Sequence, residues 1–202
     1  MIILVKDYFV VDFEFTKYTK PVGLPRGFFS EIIEIGAVKI NGETLEVVGQ
    51  ISNYVVPHFY PKQAGEGMEF SMISNKDMQT AIEFEEMIEN IRGLYIPHKT
   101  FFVAWGNADY TVLDEGCRRH GLENPVLFED YLDMAAWYKW EMDDNYTTGL
   151  RKAIEEQCVD SGMYWHTANQ DAANTGALLV KLIKDGWNVY DFISDKIETQ
   201  IS

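Results

Sequence analysis

Asp12 and Glu14 stand two residues apart in Tyr8-Phe-Val-Val-Asp-Phe-Glu-Phe-Thr16, a run that is otherwise almost wholly apolar. Such a run reads as a buried strand, and alternate residues of a strand share a face. The two carboxylates therefore project side by side, where repulsion and lost hydration are costly unless a cation lies between them. Hard divalent ions take oxygen ligands of this kind. In a chain with 32 acidic residues the pair also reads as a strand end with both acids in solvent. The rest of the chain has to decide.

Trp105-Gly-Asn-Ala-Asp109 is a second place for chemistry. A strand ends at Trp105, Gly106 permits the turn, and Asp109 opens a helix. Ligands of α/β sheets gather at the carboxyl ends of strands, so Asp109 can meet Asp12 and Glu14 there. It reads equally as a simple N-cap. The third place is His166-Thr-Ala-Asn-Gln-Asp171. Thr167 and Gln170 have capping-box spacing, which starts a helix at Ala168 and puts Asp171 near its first turn. The positive helix end favours an ionised carboxylate there. His166 lies on the incoming loop and can reach over a site held by Asp171, or serve only as a surface or capping histidine.

Taken together, four carboxylates from separate segments suit two divalent ions, magnesium or manganese, about 3.5–4 Å apart in such sites. This chemistry is in-line attack of water on a phosphodiester, with a neutral histidine as general base near pH 7.

The elements that must position these residues follow from periodicity. Strands are expected at about Tyr8–Phe15, Ser30–Ile40 and Thr44–Val56, the last two joined by a turn at Asn41-Gly42. Ser74–Ile96 has helical spacing, Thr100–Trp105 is a short buried strand, and Asp109–His120 is a helix ended by Gly121. Val126–Leu132 reads as a fifth strand, followed by an aromatic helix through Trp137 and Trp140. Helices over Thr148–Gln157, Ala168–Asp185 and Val189–Thr199 complete the chain. Three meander strands followed by strands alternating with helices predict an α/β fold. Its mixed five-stranded sheet has a three-strand antiparallel meander plus two parallel strands, flanked by helices, as in ribonuclease-H-like proteins.

Composition sets the bounds. The 202 residues fit a single domain over 1–202, and 47% hydrophobic content excludes disorder. Lys6 and Asp7 interrupt Met-Ile-Ile-Leu-Val too early for a signal peptide or a membrane span. Cys117 and Cys158 have no metal-ligand spacing and fit the reduced cytoplasm. The net charge of −15 disfavours a long polyanion-binding face but not a small site for one strand end. From Phe15 to Ser30, Lys17, Lys20 and Arg26 occur without any acid in a loop punctuated by Pro21, Gly23, Pro25 and Gly27. This loop is either a chance solvated segment or a holder of backbone phosphates.

The order Asp-x-Glu, Asp, His-x4-Asp resembles the DEDDh branch of DnaQ-like 3′-to-5′ exonucleases. Glu31-Ile-Ile-Glu-Ile-Gly36, Trp105-Gly-Asn-x-Asp109 and Asp171-Ala-Ala-Asn-Thr175 look most like its KapD-type and small-RNA-trimming members. The resemblance runs from about Tyr8 to Lys184. It implies that Asp12, Glu14, Asp109 and Asp171 are metal ligands, Asp109 directly or through water, with His166 the base. It also implies that Phe13, Phe15 and Thr16 line the pocket of the terminal nucleotide. Phe70, in Phe70-Ser-Met-Ile73, takes the place of a leucine that wedges against the last bases, or else is core. The expected activity is metal-dependent 3′-to-5′ hydrolysis of single-stranded RNA or DNA ends, RNA slightly preferred. A weakly catalytic module binding 3′ ends or a protein, and a hydrolase of very short oligonucleotides, are the alternatives.

Overall fold

The computed structural model describes residues 5–17, 23–161 and 166–201, with side chains described through residue 196. Strand β1 (Asp7–Phe15) is the third of five in the order β3-β2-β1-β4-β5. It pairs antiparallel with β2 (Ile32–Ile40), which pairs antiparallel with β3 (Val47–Tyr54). On its other side it runs parallel to β4 (Thr100–Ala104), and β4 parallel to β5 (Tyr131–Asp133). The expected mixed sheet, meander and parallel pair are present.

Helix α1 (Ala64–Phe70) precedes α2 (Phe84–Leu94) and α3 (Ala108–His120). Helices α4 (Met134–Glu141), α5 (Leu150–Glu156), α6 (Ala168–Lys184) and α7 (Val189–Ile201) follow β5. The alternation of β1 divides the core. Phe9, Val11 and Phe13 pack with Ile35, Phe102 and residues of α2 and α3 on one face. Tyr8 and Val10 pack with Val38, Val103 and residues of α4 to α7 on the other. Asp12 and Glu14 continue this second row, so the acids rise on the face that α6 covers. Small residues admit α6: a Cβ on Gly176 would lie 3.0 Å from the side chain of Val38 and 3.2 Å from that of Ile40.

Three stretches and one helix cap differ from expectation. The Ser74–Ile96 stretch divides into a 3-10 turn (Asp77–Thr80), an extended link in which Ile82 bridges Val55, and α2. The link is extended because Ile82 N–H donates to the carbonyl of Tyr54 and its own carbonyl accepts from Val56. Strand β5 begins only at Tyr131. The preceding turn carries buried Asp130 to Lys6 Nζ (2.6 Å), Tyr95 Oη (2.6 Å) and the N–H of His98 (2.7 Å). The connection after β2 spans residues 41–46 rather than a two-residue turn, with Asn41 Oδ1 accepting from the N–H groups of Glu43 and Thr44. Helix α6 starts at Ala168 as expected, but the capping box is not made. Thr167 supplies no side-chain cap, and Gln170 donates to Asn174 instead.

Candidate active site

Strand β1 carries Asp12 and Glu14 to its carboxyl end, and the first turn of α6 carries Asp171 beside them. Each of the three offers a carboxylate oxygen, all within 4.8 Å of one another. Asp171 Oδ2 accepts the backbone N–H of His166 at 3.1 Å, while Asp171 Oδ1 is buried without a partner among the described residues. Glu14 is buried and accepts a hydrogen bond from Ser71 Oγ at 2.6 Å.

Asp109 joins from the opposite side of the sheet. The pairing of β1 with β4 runs from Asp7 to Val10, so the N–H of Phe13 lies beyond it. Asp109 Oδ1 accepts this N–H at 2.9 Å. The cap position of α3 belongs to Asn107, and Asp109 sits buried in the first helical turn. The simple N-cap reading therefore fails for Asp109. Gly106, at φ 95°, makes the turn that brings it there, and its carbonyl accepts from Tyr131 Oη at 2.5 Å.

The electrostatics fit a cation. Burial, then the charges of Asp109, Asp171, Glu14 and Glu34, pushes Asp12 well above the usual carboxylate range. Burial raises Asp109 to about 7, against the stabilising N–H of Phe13. Burial also raises Asp171, opposed by the N–H of His166. Carboxylates that disfavour their own ionisation gain most from a divalent ion among them. The orphaned Asp171 oxygen and the all-oxygen donor set suit a hard divalent ion.

His166 lies on the incoming loop, exposed, with φ 66°. Its ring is 4.8 Å from that of Phe70, at an interplanar angle of 59°. Phe70 is 50% exposed, which excludes the core alternative. Lys17 Nζ lies 3.5 Å from the Phe70 ring centroid and 5.9 Å from that of Phe15. Phe15, Lys17, Phe70 and His166 thus form a continuous aromatic and cationic rim beside the acids.

Other expected residues fall elsewhere. The ring of Phe13 is buried in the α2/α3 core, because period two turns it away from Asp12 and Glu14; what reaches the site is its N–H. Thr16 is fully buried, and its hydroxyl accepts the N–H of Glu31 at 2.9 Å. Arg26 is exposed in a turn fastened by Phe28 and Phe29 against Tyr60, with Gly27 carbonyl accepting from Tyr60 Oη. Lys20 and Pro21 lie outside the described residues.

The structure also adds two residues. Ser71 ties the end of α1 to Glu14, and no spacing signal marked it. Glu34, opposite Glu14 in the β1–β2 register, adds a further carboxylate, and it is buried. Burial raises it to about 7, opposed by the nearby backbone N–H groups of Ala168 and Asn169 and reinforced by Glu14 and Asp171. A cleft of about 460 Å³ opens from His166 and Asp171 toward Leu150, Arg151 and Lys152 on α5. A larger one, about 650 Å³, lies between α4 and α7 and shares no residue with the acids.

A ribonuclease-H-like sheet that gathers carboxylates at its strand ends, with a helix-borne aspartate and a loop histidine, defines a hydrolytic nuclease of DEDDh type. The Exonuclease family profile matches residues 9–179, and the chain belongs to that family. It is 35% identical over 179 residues to the probable 3′-5′ exonuclease KapD of Bacillus subtilis, covering 87% of this chain and 83% of that one. It is 30% identical over 202 residues to the 3′-5′ exonuclease Snipper of Drosophila melanogaster, covering 87% and 69%. The nuclease domain of 3′hExo, a DEDDh family member solved bound to rAMP, shares the fold with a TM-score of 0.77 and 22% identity, over 90% of this chain and 94% of that one. No helix among the described residues is long and apolar enough to cross a membrane.

Proposed function

We propose that this exonuclease removes nucleotides one at a time from single-stranded 3′ ends, RNA somewhat ahead of DNA, using two magnesium or manganese ions. The observation that carries the metal reading is the convergence of Asp12, Glu14 and Asp171 within 4.8 Å, with Asp171 Oδ1 buried and unpartnered among the described residues. Asp12, Glu14 and Asp171 would hold the ions directly and Asp109 directly or through water. When bound, such ions activate a water and neutralise charge on the leaving oxygen.

The chain's own groups do the rest. His166 takes the proton of the attacking water on its imidazole ring, as a general base. Its exposed position on the loop leaves the ring accessible to solvent and substrate. Phe15 and Phe70 offer aromatic surface to the last bases, a mode that tolerates any sequence. Lys17 lies against both rings and suits a backbone phosphate. Phe13 and Thr16 support this pocket from below rather than touch the nucleotide, given their burial. The preference for RNA draws support from the rAMP bound to the 3′hExo nuclease domain.

The test is a length series of 5′-labelled RNA and DNA oligomers with magnesium or manganese. The expected result is a ladder of single-nucleotide products from free 3′ hydroxyls, resistance of 3′-phosphorylated ends, and no cleavage of circles. Asp12→Ala or excess chelator should abolish turnover, and manganese should restore the chelated wild type. Undiminished cleavage by Asp12→Ala would sink the metal assignment. Cleavage of a circle would make the enzyme an endonuclease.

A further inference from the structure

Phe70 and Ser71 are neighbours in the chain with opposite surroundings. Phe70 is half exposed at the rim, against Lys17 and His166. Ser71 is 2% exposed, and its hydroxyl donates to Glu14 Oε2 at 2.6 Å. Hydrogen bonds of this length onto a carboxylate are among the strong ones. Glu14 is one of the three acids whose oxygens lie within 4.8 Å of one another.

Helix α1 stays in place without this hydroxyl. Backbone bonds close its end: the N–H of Ile73 donates to the carbonyl of Met68 at 2.8 Å, and the N–H of Ser71 to that of Gly67 at 3.0 Å. Met72, at φ 57°, takes the left-handed conformation common just past a helix cap. Ala64 and Ile73, at the two ends of the segment, pack with fully buried Ile33 of β2. Gly67 lets the helix lie on the chain just past β1, where a Cβ would be 3.2 Å from Thr16 Cα. The hydroxyl therefore reaches Glu14 from a support that other contacts have already fixed.

A buried hydroxyl needs a partner. The ordinary one for a serine at a helix end is the carbonyl one turn back, but Ser71 uses Glu14. A glutamate side chain loses rotamer freedom when it is ordered, and a ligand held beforehand has less of that freedom to lose when an ion arrives. A carboxylate has about four lone-pair sites, so one bond from a hydroxyl leaves room for a cation.

We propose that Ser71 is a positioning residue: from the end of α1 its hydroxyl holds the Glu14 carboxylate toward Asp12 and Asp171, so that affinity for the divalent ion depends on that hydroxyl. This rests on the metal reading of the site. Outer groups that orient a metal ligand typically contribute about 10–100-fold to metal affinity or activity.

The experiment is a manganese titration of thermal midpoint, without substrate, for wild type, Ser71→Ala and Ser71→Thr. Wild type should rise in midpoint with manganese. Ser71→Ala should need about 10–100-fold more manganese for half the rise. Ser71→Thr keeps the hydroxyl and should lie closer to wild type than to the alanine variant.

A merely structural bond would lower the metal-free midpoint of Ser71→Ala and leave the half-saturating manganese concentration unchanged; that result overturns the proposal. So does a folded threonine variant as impaired as alanine, since the hydroxyl would then not be what matters. An alanine variant that does not fold is replaced by Ser71→Cys, which fills similar space with only a weak donor. That variant should shift in the same direction, and a wild-type manganese dependence would overturn the proposal. A wild type with no manganese response overturns this proposal and the metal reading together, whereas a responsive wild type with an unchanged alanine variant overturns this proposal only.

Discussion

Asp171 and His166 are joined through the backbone: the N–H of His166 donates to Asp171 Oδ2 at 3.1 Å, leaving Asp171 Oδ1 for the acidic cluster. His166 is at φ 66°, in the left-handed region that side chains other than glycine enter at some cost. The carboxylate that helps hold the metal therefore also shapes the loop that carries the base.

This link separates two effects of His166→Ala. The backbone N–H remains, so Asp171 keeps its orientation and manganese should still raise the thermal midpoint. The base is lost, and the rate should fall about a hundredfold or more. A variant with wild-type rate would show that the imidazole takes no proton, and a variant without the manganese response would show that the ring itself holds the site together.

The raised carboxylates fix the sign of a pH effect on the metal-free protein. Asp109 and Glu34 are raised to about 7, and Asp12 and Asp171 are raised as well. An unfolded chain releases such protons near pH 4. Between about pH 4 and pH 7 the folded state thus holds protons that the unfolded state has lost, and stability falls as pH rises. In excess chelator the thermal midpoint should drop by about 5 °C or more from pH 5 to pH 8, given about 2–4 °C per kcal/mol for a chain of this size. Saturating manganese at pH 8 should recover the loss. A midpoint that climbs with pH in chelator would contradict the clustering of the carboxylates.

What was legible in the sequence was what local periodicity encodes. The alternation of β1 placed Asp12 and Glu14 on one face, and Gly106 and Ala168 marked where Asp109 and α6 begin. The same alternation turns Phe13 away from the pocket that the family resemblance implies for it. Glu34 stays hidden because the first turn of α6, which packs on the same strand at Gly36, lies more than a hundred residues away. Within Ile-Ile-Glu-Ile it looks like any polar residue of a half-exposed strand. Helix α1 was missed because it is one short segment with Gly65 and Gly67, poor helix formers. Gly67 instead allows close approach: a Cβ there would lie 2.7 Å from the carbonyl oxygen of Phe15.

Gly36→Ala tests the seating of α6 from the strand side. The added Cβ has no room against Ala168 and Asn169, so the helix must lift or β2 must bend. Overpacking of this kind costs about 1–3 kcal/mol, sometimes more. Both the metal-free midpoint and the affinity for manganese should fall, because Asp171 moves with its turn. Substitution with only a loss of stability would mean that the turn and the acidic cluster are uncoupled.

Two of the three loop cations, Lys17 and Arg26, stand in different surroundings. Lys17 stands against Phe70 and Phe15 at the rim of the site, with Nζ 3.5 Å and 5.9 Å from the two ring centroids. Arg26 sits in a turn whose neighbours are fastened to Phe59 and Tyr60. If backbone phosphates are held by contact, Lys17→Gln should raise KM for oligonucleotides several-fold. It should also flatten the salt dependence of kcat/KM, by about 0.7 in slope per lost phosphate contact on single strands. Arg26→Gln should change KM by less than about twofold, as an exposed charge acting only through screened distance. Phe70→Ala should mimic Lys17→Gln in KM while leaving the thermal midpoint near wild type, since half of its surface is already in solvent. A small chromogenic phosphodiester, having no upstream backbone, should be hydrolysed equally by wild type, Lys17→Gln and Arg26→Gln. Equal losses for Lys17→Gln and Arg26→Gln on oligonucleotides would replace the contact at the Phe70 rim with a diffuse field from the whole loop.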